Sequence, residues 1–331
     1  MRAHDRLTTR GPFIAALLAA SLTIAVTPAA QAQKYPDRPV KIVLPFGPGG
    51  VADVTARIMA DKLGLKFGER VVIDNMPGAG GINAARAVIA AAPDGYTMGF
   101  VTNGTAISVA AFKSLPFDPV KDFEMVSMLG LFDLVFAVNA QSDYKTLGDF
   151  IKAAKANPGK LNIGTIAAGG TQNLGAELFK SMANVNVQIV PYRNSPDIVV
   201  ALLRNDVQML VEFPPAIQGQ VNDNKLRVLA TSSPKRSPFM PNVPTVAETG
   251  VKGYEVTSWN GVFAPKGTPK EVIDTMNKAM HEVVAMPDVK AQFAKVGVVA
   301  LASTPAELMT RLTADIKKWN DVIDKAGIER K

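Results

Sequence analysis

The sequence predicts an α/β protein with two lobes, each a mainly parallel sheet flanked by helices, joined by two hinge strands. Short apolar strand patterns alternate with helical patterns from residue 40 onward, which is typical of sheets covered by helices on both faces. The alternation falls into two blocks, separated by apolar stretches at residues 134–139 and 254–264. These stretches predict that the chain enters a second lobe and then returns to the first, where the C-terminal helices pack.

Residues 1–32 have the features of a secretory signal peptide. Arginines precede an apolar run at residues 13–26, and Ala30-Gln31-Ala32 fits the small-x-small cleavage rule. A membrane anchor is the alternative, but the run is short for a spanning helix and ends at Pro28. We therefore expect an exported protein that is cleaved after Ala32.

The length of the chain is consistent with two domains. Removing the signal leaves 299 residues (331 − 32), which is enough for two domains with separate cores. We expect lobe 1 to contain residues 33–137 and 254–331, and lobe 2 to contain residues 138–253.

Composition argues against several classes of function. The net charge is +7, yet the basic residues are scattered, so we expect no nucleic-acid partner. The chain has no cysteine, which excludes thiol chemistry and cysteine metal sites. His281 is the single histidine beyond the signal, and no nucleophile or acidic partner accompanies it. We therefore expect no catalytic residue, no metal and no cofactor.

The first block contains three strands and two helices. Apolar runs predict strands at residues 42–46, 71–75 and 97–102, and helical spacing predicts helices at 51–65 and 82–91. A glycine turn at residues 77–81 leads into the second helix, and Asn103-Gly104-Thr105 is predicted to be the exit turn of the third strand.

The second block repeats the alternation. A capping box at Thr146 predicts a helix through Ala156. The further elements follow in order: strands at residues 161–165, 187–192, 207–213 and 226–231, and helices at 173–183 and 197–204.

Two helices are predicted near the C-terminus. Thr268-Pro269-Lys270-Glu271 and Thr304-Pro305-Ala306-Glu307 each offer threonine as the cap, proline at the first helical position and glutamate three residues after the cap.

The glycine-rich turn Gly47-Pro48-Gly49-Gly50 is the strongest candidate for a binding site. It joins a strand to a helix that opens at Val51, so free backbone N–H groups are expected there, as in anion sites. The turn also matches the dinucleotide fingerprint, but Pro48 lacks the N–H that pyrophosphate needs and an exported chain rarely meets free dinucleotide. A plain turn is the other alternative. Asp53 is expected to accept backbone N–H bonds.

Two further turns end strands and carry neutral donors. They are Asn103-Gly104-Thr105 and the segment from Ala167 to Gln172. Hydroxyl, amide and backbone N–H groups bind a carboxylate without a salt bridge. Each turn alone is more often structural, but three at equivalent ends of strands favour a shared site.

Aromatic and basic residues at strand ends are secondary candidates. Phe46 and Phe213 end strands in different lobes and are placed to wall a ligand, with core packing as the alternative. Tyr192 and Arg193 end another strand. Arg193 suits two-point pairing with a carboxylate, and a surface ion pair is the alternative.

Ordered motifs along the chain resemble a known family. They begin with Tyr35-Pro36-Asp37-Arg38-Pro39, LPFGPGGVAD at residues 44–53, NMPGAGG at 75–81 and PDGYT at 93–97. They continue with LPFDPVKDF at 115–123, PGKLN at 158–162, VPY at 190–192, VPTVAE at 243–248, Trp259 and APKGTP at 264–269. Together they resemble the Bug family of periplasmic solute receptors, which includes the TctC proteins.

The resemblance implies a type II periplasmic binding protein that closes on a small organic carboxylate. It implies delivery of that ligand to the membrane permease subunits of a tripartite tricarboxylate transporter, or a sensory role as the alternative. An enzyme on the same fold is a further, weaker alternative. We expect a periplasmic monomer with these ligand-binding residues: Phe46, Gly47, Pro48, Gly49, Gly50, Val51, Asp53, Asn103, Gly104, Thr105, Ala167, Ala168, Gly169, Thr171, Gln172, Tyr192 and Phe213.

The chain departs from the family pattern in the second lobe. Relatives often have an acidic or amide residue where this chain has Pro214-Pro215, and Lys-Gly where it has Arg193-Asn194. A drier second lobe favours an aromatic or short aliphatic carboxylate over citrate.

Overall fold

The computed structural model describes residues 35–166 and 170–330. The predicted signal peptide and its cleavage site lie outside the described residues. Within the described ranges, no helix has both the length and the apolar character needed to cross a bilayer.

Eleven strands and ten α-helices make up the described chain. The strands are β1 (Val40–Leu44), β2 (Val71–Asn75), β3 (Thr97–Thr102), β4 (Phe123–Asp133), β5 (Val135–Asn139), β6 (Asn162–Ile166), β7 (Gln188–Tyr192), β8 (Met209–Glu212), β9 (Leu226–Thr231), β10 (Thr257–Pro265) and β11 (Val299–Ala300). The helices are α1 (Val51–Phe67), α2 (Ile82–Ile89), α3 (Asn103–Ala111), α4 (Leu147–Ala156), α5 (Thr171–Met182), α6 (Ser195–Leu203), α7 (Pro214–Asn222), α8 (Lys270–Ala285), α9 (Pro287–Lys295) and α10 (Pro305–Ala326).

The strands form two sheets, which confirms the two-lobed α/β fold. The first has the order β11-β4-β10-β3-β1-β2 and the second has the order β7-β6-β8-β5-β9. The pairing is more mixed than the sequence predicted. β1 pairs in parallel with β2 and β3, and β6 with β7 and β8, but β10 and β5 are antiparallel to both of their neighbours. These two strands come from the lobe junction, and the short edge strand β11 is also antiparallel to its neighbour β4.

The two chain crossings are tied together at Ser232. The Leu134 N–H donates to Ser232 Oγ (2.8 Å), and that hydroxyl donates to the carbonyl oxygen of Val256. The backbone of Ser232 also bonds to both crossings, through Leu134 O and Val256 N at 2.9 Å each. We propose that the lobes divide at Leu134 and Val256, because Val135 already pairs with Glu212 in the second sheet.

The C-terminal helices pack on the first lobe, as predicted. Ile273 and Met276 of α8 share one buried apolar cluster with Val40 and Ile42 of β1. Trp319 of α10 is fully buried in another cluster, which continues into the second lobe. The core is therefore continuous across the lobe junction.

Local start signals decide where several helices begin. Thr146 and Thr304 accept the N–H of the residue three positions on, at 3.1 Å and 3.2 Å, which confirms both predicted caps. The predicted cap at Thr268 is wrong. Its hydroxyl donates to Pro265 O (2.8 Å), and α8 begins at Lys270 with Pro269 as the cap residue.

Four elements were not predicted: β4, α3, α7 and the two-residue strand β11. The predicted exit turn at Asn103-Gly104-Thr105 is the first turn of α3, because the Thr102 N–H donates to Thr105 Oγ1 (3.2 Å) in a capping box. α7 begins at the pair Pro214-Pro215, which suits a helix start because the first helical N–H groups need no partner.

The ionised form of Asp133, at the end of β4, is destabilised by its surroundings. Burial, opposed by a hydrogen bond from the Ser233 hydroxyl and assisted by the nearby Glu255 carboxylate, raises the pKa of Asp133 to about 6. An aspartate that is harder to ionise in the folded state binds more protons there than in the unfolded chain. Folding stability therefore falls as pH rises from about 4 to about 6.

We expect Gly130→Ala to lower the free energy of unfolding by about 1 to 3 kcal/mol. An added Cβ at Gly130 would lie 2.7 Å from Val299 O and 2.6 Å from Val298 Cγ1, so β11 would have to shift from β4. Gly219→Ala, in the open middle of α7 with no atom within 4 Å of the new Cβ, is the matched control and should be neutral or stabilising. Urea unfolding of both variants checks this, and equal stability would contradict it.

We expect Asp133→Asn to stabilise the protein by about 1 to 3 kcal/mol at pH 7.5 and to change stability little at pH 4. The asparagine cannot ionise, so it avoids the cost of burying a charge at neutral pH. Thermal unfolding of both proteins across this pH range tests the expectation. A stability difference that stays constant with pH would show that Asp133 titrates normally.

Candidate functional site

Three helix starts follow the carboxyl ends of strands at the lobe junction. In the first lobe α1 follows β1 and α3 follows β3, and these strands are neighbours. In the second lobe α5 follows β6. The side chain of Asn103, at the start of α3, donates through Nδ2 to Thr171 Oγ1 at the start of α5 (3.1 Å). Two of the three segments that the sequence selected therefore meet where the lobes meet, and the glycine loop follows the strand next to β3.

The glycine loop before α1 is open on its outer side. A Cβ built on Gly47, Gly49 or Gly50 would meet no atom within 4 Å. Gly49 has φ +90°, a backbone region that side chains with a Cβ rarely adopt. Phe46, at the start of the loop, is 38% exposed. Another molecule can therefore approach this backbone closely.

Backbone donors at the start of α1 have no partner within the helix. The first intrahelical bond runs from Val54 N to Gly50 O (3.0 Å), and α1 has no side-chain cap among the described residues. The N–H groups of Val51 and Ala52 thus point out of the helix end. Pro48 has no N–H to give, as the sequence indicated.

Asp53 holds the glycine loop from beneath. Its Oδ2 accepts the Gly49 N–H (2.9 Å) and Arg57 Nε (3.0 Å), and its Oδ1 accepts Asn75 Nδ2 (2.9 Å). Asn75 Nδ2 also donates to Phe46 O (3.0 Å). Burial pushes the pKa of Asp53 upward, but the bonds from Arg57, Gly49 and Asn75 outweigh it and lower the pKa below its usual value. Asp53 is thus a buried anion paired with its own cation, and it positions the loop.

Asn103 bridges the lobes. Its side chain is fully buried, and Oδ1 accepts Trp319 Nε1 (2.8 Å) while Nδ2 donates to Thr171. Gly104 and Thr105 lie beside it in the first turn of α3. Since both ends of the Asn103 amide are engaged, this side chain sets the distance between the segments.

Gln172, at the start of α5, contacts a buried carboxylate, Glu212, that was not among the predicted site residues. Gln172 Nε2 donates to Glu212 Oε1 (2.8 Å), at the end of β8. Ser195 Oγ donates to Glu212 Oε2 (2.7 Å), and the Phe213 N–H donates to Oε1 (2.7 Å). An acidic residue inside the apolar run 207–213 was the available signal. The predicted residues Ala167, Ala168 and Gly169 lie outside the described residues.

Two of the aromatic residues predicted to contact the ligand, Phe213 and Tyr192, pack against other residues of the protein. Phe213 lies against Phe132 of the first lobe, with ring centroids 5.0 Å apart. The ring of Tyr192 lies 3.6 Å from a Cβ built on Gly164, on the side of the second sheet that packs against α6. Arg193 is exposed. Of the three aromatic candidates, Phe46 is the one whose side chain is exposed to solvent.

A separate groove of about 820 Å³ lies beside the hinge and contains none of the predicted ligand residues. It is lined by both lobes: Asp133 and Lys295 belong to the first, and Thr231 and Phe239 to the second. Among the described residues no group of three acidic or histidine side chains is arranged to hold a metal ion.

Comparisons with known proteins identify the family. The model of the tripartite tricarboxylate transporter family receptor, TctC, matches residues 55–328. The protein BugT of Bordetella pertussis is 32% identical over 93% of this chain and 95% of its own length.

Solved structures agree with this match. Rpa4515 of R. palustris with adipate has a TM-score of 0.79 and 32% identity, covering 89% of this chain and 99% of that one. MatC from Rhodopseudomonas palustris with bound malate has a TM-score of 0.74 and 29% identity, covering 87% and 100%. The chain therefore belongs to the TctC family of receptors of tripartite tricarboxylate transporters, as its ordered motifs and its two-lobed fold indicated.

Proposed function

We propose that this protein binds a small organic carboxylate between its lobes in the periplasm and delivers it to the permease subunits of a tripartite tricarboxylate transporter. The observation that carries the proposal is the open glycine loop at Gly47–Gly50, followed by the N–H groups of Val51 and Ala52, which have no partner among the described residues. Family membership supports it, as do solved relatives with adipate and malate. We propose a monomer that needs no cofactor and performs no chemistry.

Backbone donors suit this task because they bind an anion without a dedicated cation. At the start of a helix, N–H groups and the helix dipole both favour negative charge. Asp53 is already paired with Arg57, at 2.9 Å, so its charge does not repel the ligand in full. The carboxylate is therefore held at α1, and Thr171 and Gln172 approach the rest of the ligand from the second lobe.

Ligand binding is coupled to lobe closure in this proposal. Contacts made to both helix starts exist only when the lobes are together, so the ligand stabilises the closed form by its differential affinity. The Ser232 hydrogen bonds tie both crossings, and they direct the motion to the junction at Leu134 and Val256.

We expect a carboxylate to raise the melting temperature of the protein purified from a periplasmic extract. Unfolding and refolding first removes any trapped ligand. A ligand at about 100 times its Kd stabilises the folded state by about 2.7 kcal/mol. The screen covers dicarboxylates, tricarboxylates, aromatic acids and amino acids, with amines and sugars as controls. A response to amines or sugars but to no carboxylate would refute the proposal.

We expect Gly49→Ala to weaken ligand binding by about tenfold or more, because the side chain strains the loop at φ +90° and shifts its donors. Gly68→Ala is the matched control. It lies at the other end of α1 with φ +77° and equally open space, so its strain is similar but remote from the ligand. Calorimetric titration and thermal unfolding of both variants separate affinity from stability. Equal losses of affinity would contradict a role for the loop.

A further inference from the structure

Glu212 is a buried acid on the ligand-facing edge of the second lobe. It ends β8, the central strand of that sheet, and is 2% exposed. Its carboxylate accepts bonds from three segments: Gln172 at the start of α5, Ser195 at the start of α6, and its own neighbour Phe213 before α7. All three follow strands of the second sheet at the carboxyl edge, so Glu212 stands where this lobe meets the ligand.

The negative charge of Glu212 has no cation to balance it. Among the described residues, no lysine, arginine or histidine lies within ion-pair distance of its carboxylate. It is held instead by neutral donors: the Gln172 amide, the Ser195 hydroxyl and the Phe213 N–H. Side chains at the starts of α5 and α6 are therefore already engaged with an internal anion. This differs from the first lobe, where the charge of Asp53 is paired with Arg57 at 2.9 Å.

Gln172 adds to this difference in charge between the lobes, because it bonds directly to Glu212. Its amide nitrogen donates to Glu212 (2.8 Å), so this donor is engaged by the internal anion. The amide oxygen, the other polar atom of this side chain, accepts hydrogen bonds and repels a carboxylate. The first lobe thus offers donors from Val51 and Ala52, whereas the second offers an acceptor backed by a negative charge.

We infer that the ligand presents a carboxylate to the first lobe and a hydrogen-bond donor without negative charge, a hydroxyl or an ammonium group, to the second. The inference rests on the proposed function and narrows its ligand class. A second carboxylate at the far end would lie against Glu212 and Gln172 and be disfavoured, because like charges in a desolvated site repel strongly. This separates the chain from the relative that was solved with adipate.

The test compares matched acids of equal length by calorimetric titration. Succinate, glutarate and adipate form one series. The second series has the same numbers of carbons but ends in an aminomethyl or hydroxymethyl group in place of one carboxylate. Its members are γ-aminobutyrate, δ-aminovalerate, ε-aminocaproate and their hydroxy counterparts. For the wild-type protein we expect at least one member of the second series to bind about tenfold or more tighter than the dicarboxylate of the same length.

Two variants assign the preference to Glu212. Glu212→Gln removes the charge but keeps the size of the side chain and an oxygen that accepts from Gln172 and Phe213. We therefore expect the preference for amino or hydroxy acids over dicarboxylates to fall by about tenfold. Ser195→Ala removes one donor and leaves the charge, so the preference should persist. If Glu212→Gln lacks a cooperative melting transition, the wild-type panel and Ser195→Ala decide the question.

The outcomes separate this inference from the proposed function. Dicarboxylates binding as tightly as, or tighter than, their amino and hydroxy counterparts would overturn the inference and leave carboxylate capture intact. No binding in either series would overturn the inference, and no response to any carboxylate in the wider thermal screen would overturn the proposed function as well. An unchanged preference in Glu212→Gln, with its fold retained, would overturn the role of Glu212.

Discussion

The buried amide of Asn103 is the contact on which the arrangement of the site depends. It accepts from Trp319 of the C-terminal helix and donates to Thr171 of the second lobe. The first bond needs α10 to return to the first lobe, and the second needs the lobes to meet at the starts of α3 and α5. A buried amide left without partners costs free energy, so this side chain favours the one arrangement that satisfies both ends.

Charge is distributed unequally across this junction. In the first lobe, the Asp53–Arg57 pair and Asn75 hold a loop whose outward groups are backbone donors. In the second lobe, Glu212 draws the starts of α5 and α6 together around a charge that has no counter-ion among the described residues. The two halves of the candidate site therefore have opposite polarity, and under the proposed function this difference orients the ligand as well as holding it.

Much of this structure follows from local sequence. The strands at residues 71–75 and 97–102 and the boxes at Thr146 and Thr304 were predicted correctly, because period, turn residues and caps act over a few positions. α3 was missed because Asn103-Gly104 is typical of a turn, whereas the bond from Thr102 N to Thr105 Oγ1 starts a helix. α7 was missed because Pro214-Pro215 was considered only as a departure from the family pattern, although this pair suits a helix start.

The remaining site contacts join residues distant in sequence. Asn103 and Trp319 lie 216 positions apart, and Gln172 and Glu212 lie 40 apart. No periodic pattern encodes such pairs, since they depend on which strands become neighbours. The same holds for Phe213, whose ring meets Phe132 only because β4 and β8 end at one junction.

A crystal structure of the refolded protein with its tightest-binding carboxylate tests the central claim most directly. The account predicts carboxylate oxygens within hydrogen-bond distance of the Val51 and Ala52 N–H groups, with the rest of the ligand directed toward Gln172. A carboxylate bound in the hinge groove beside Thr231 and Phe239, with the glycine loop empty, would contradict it.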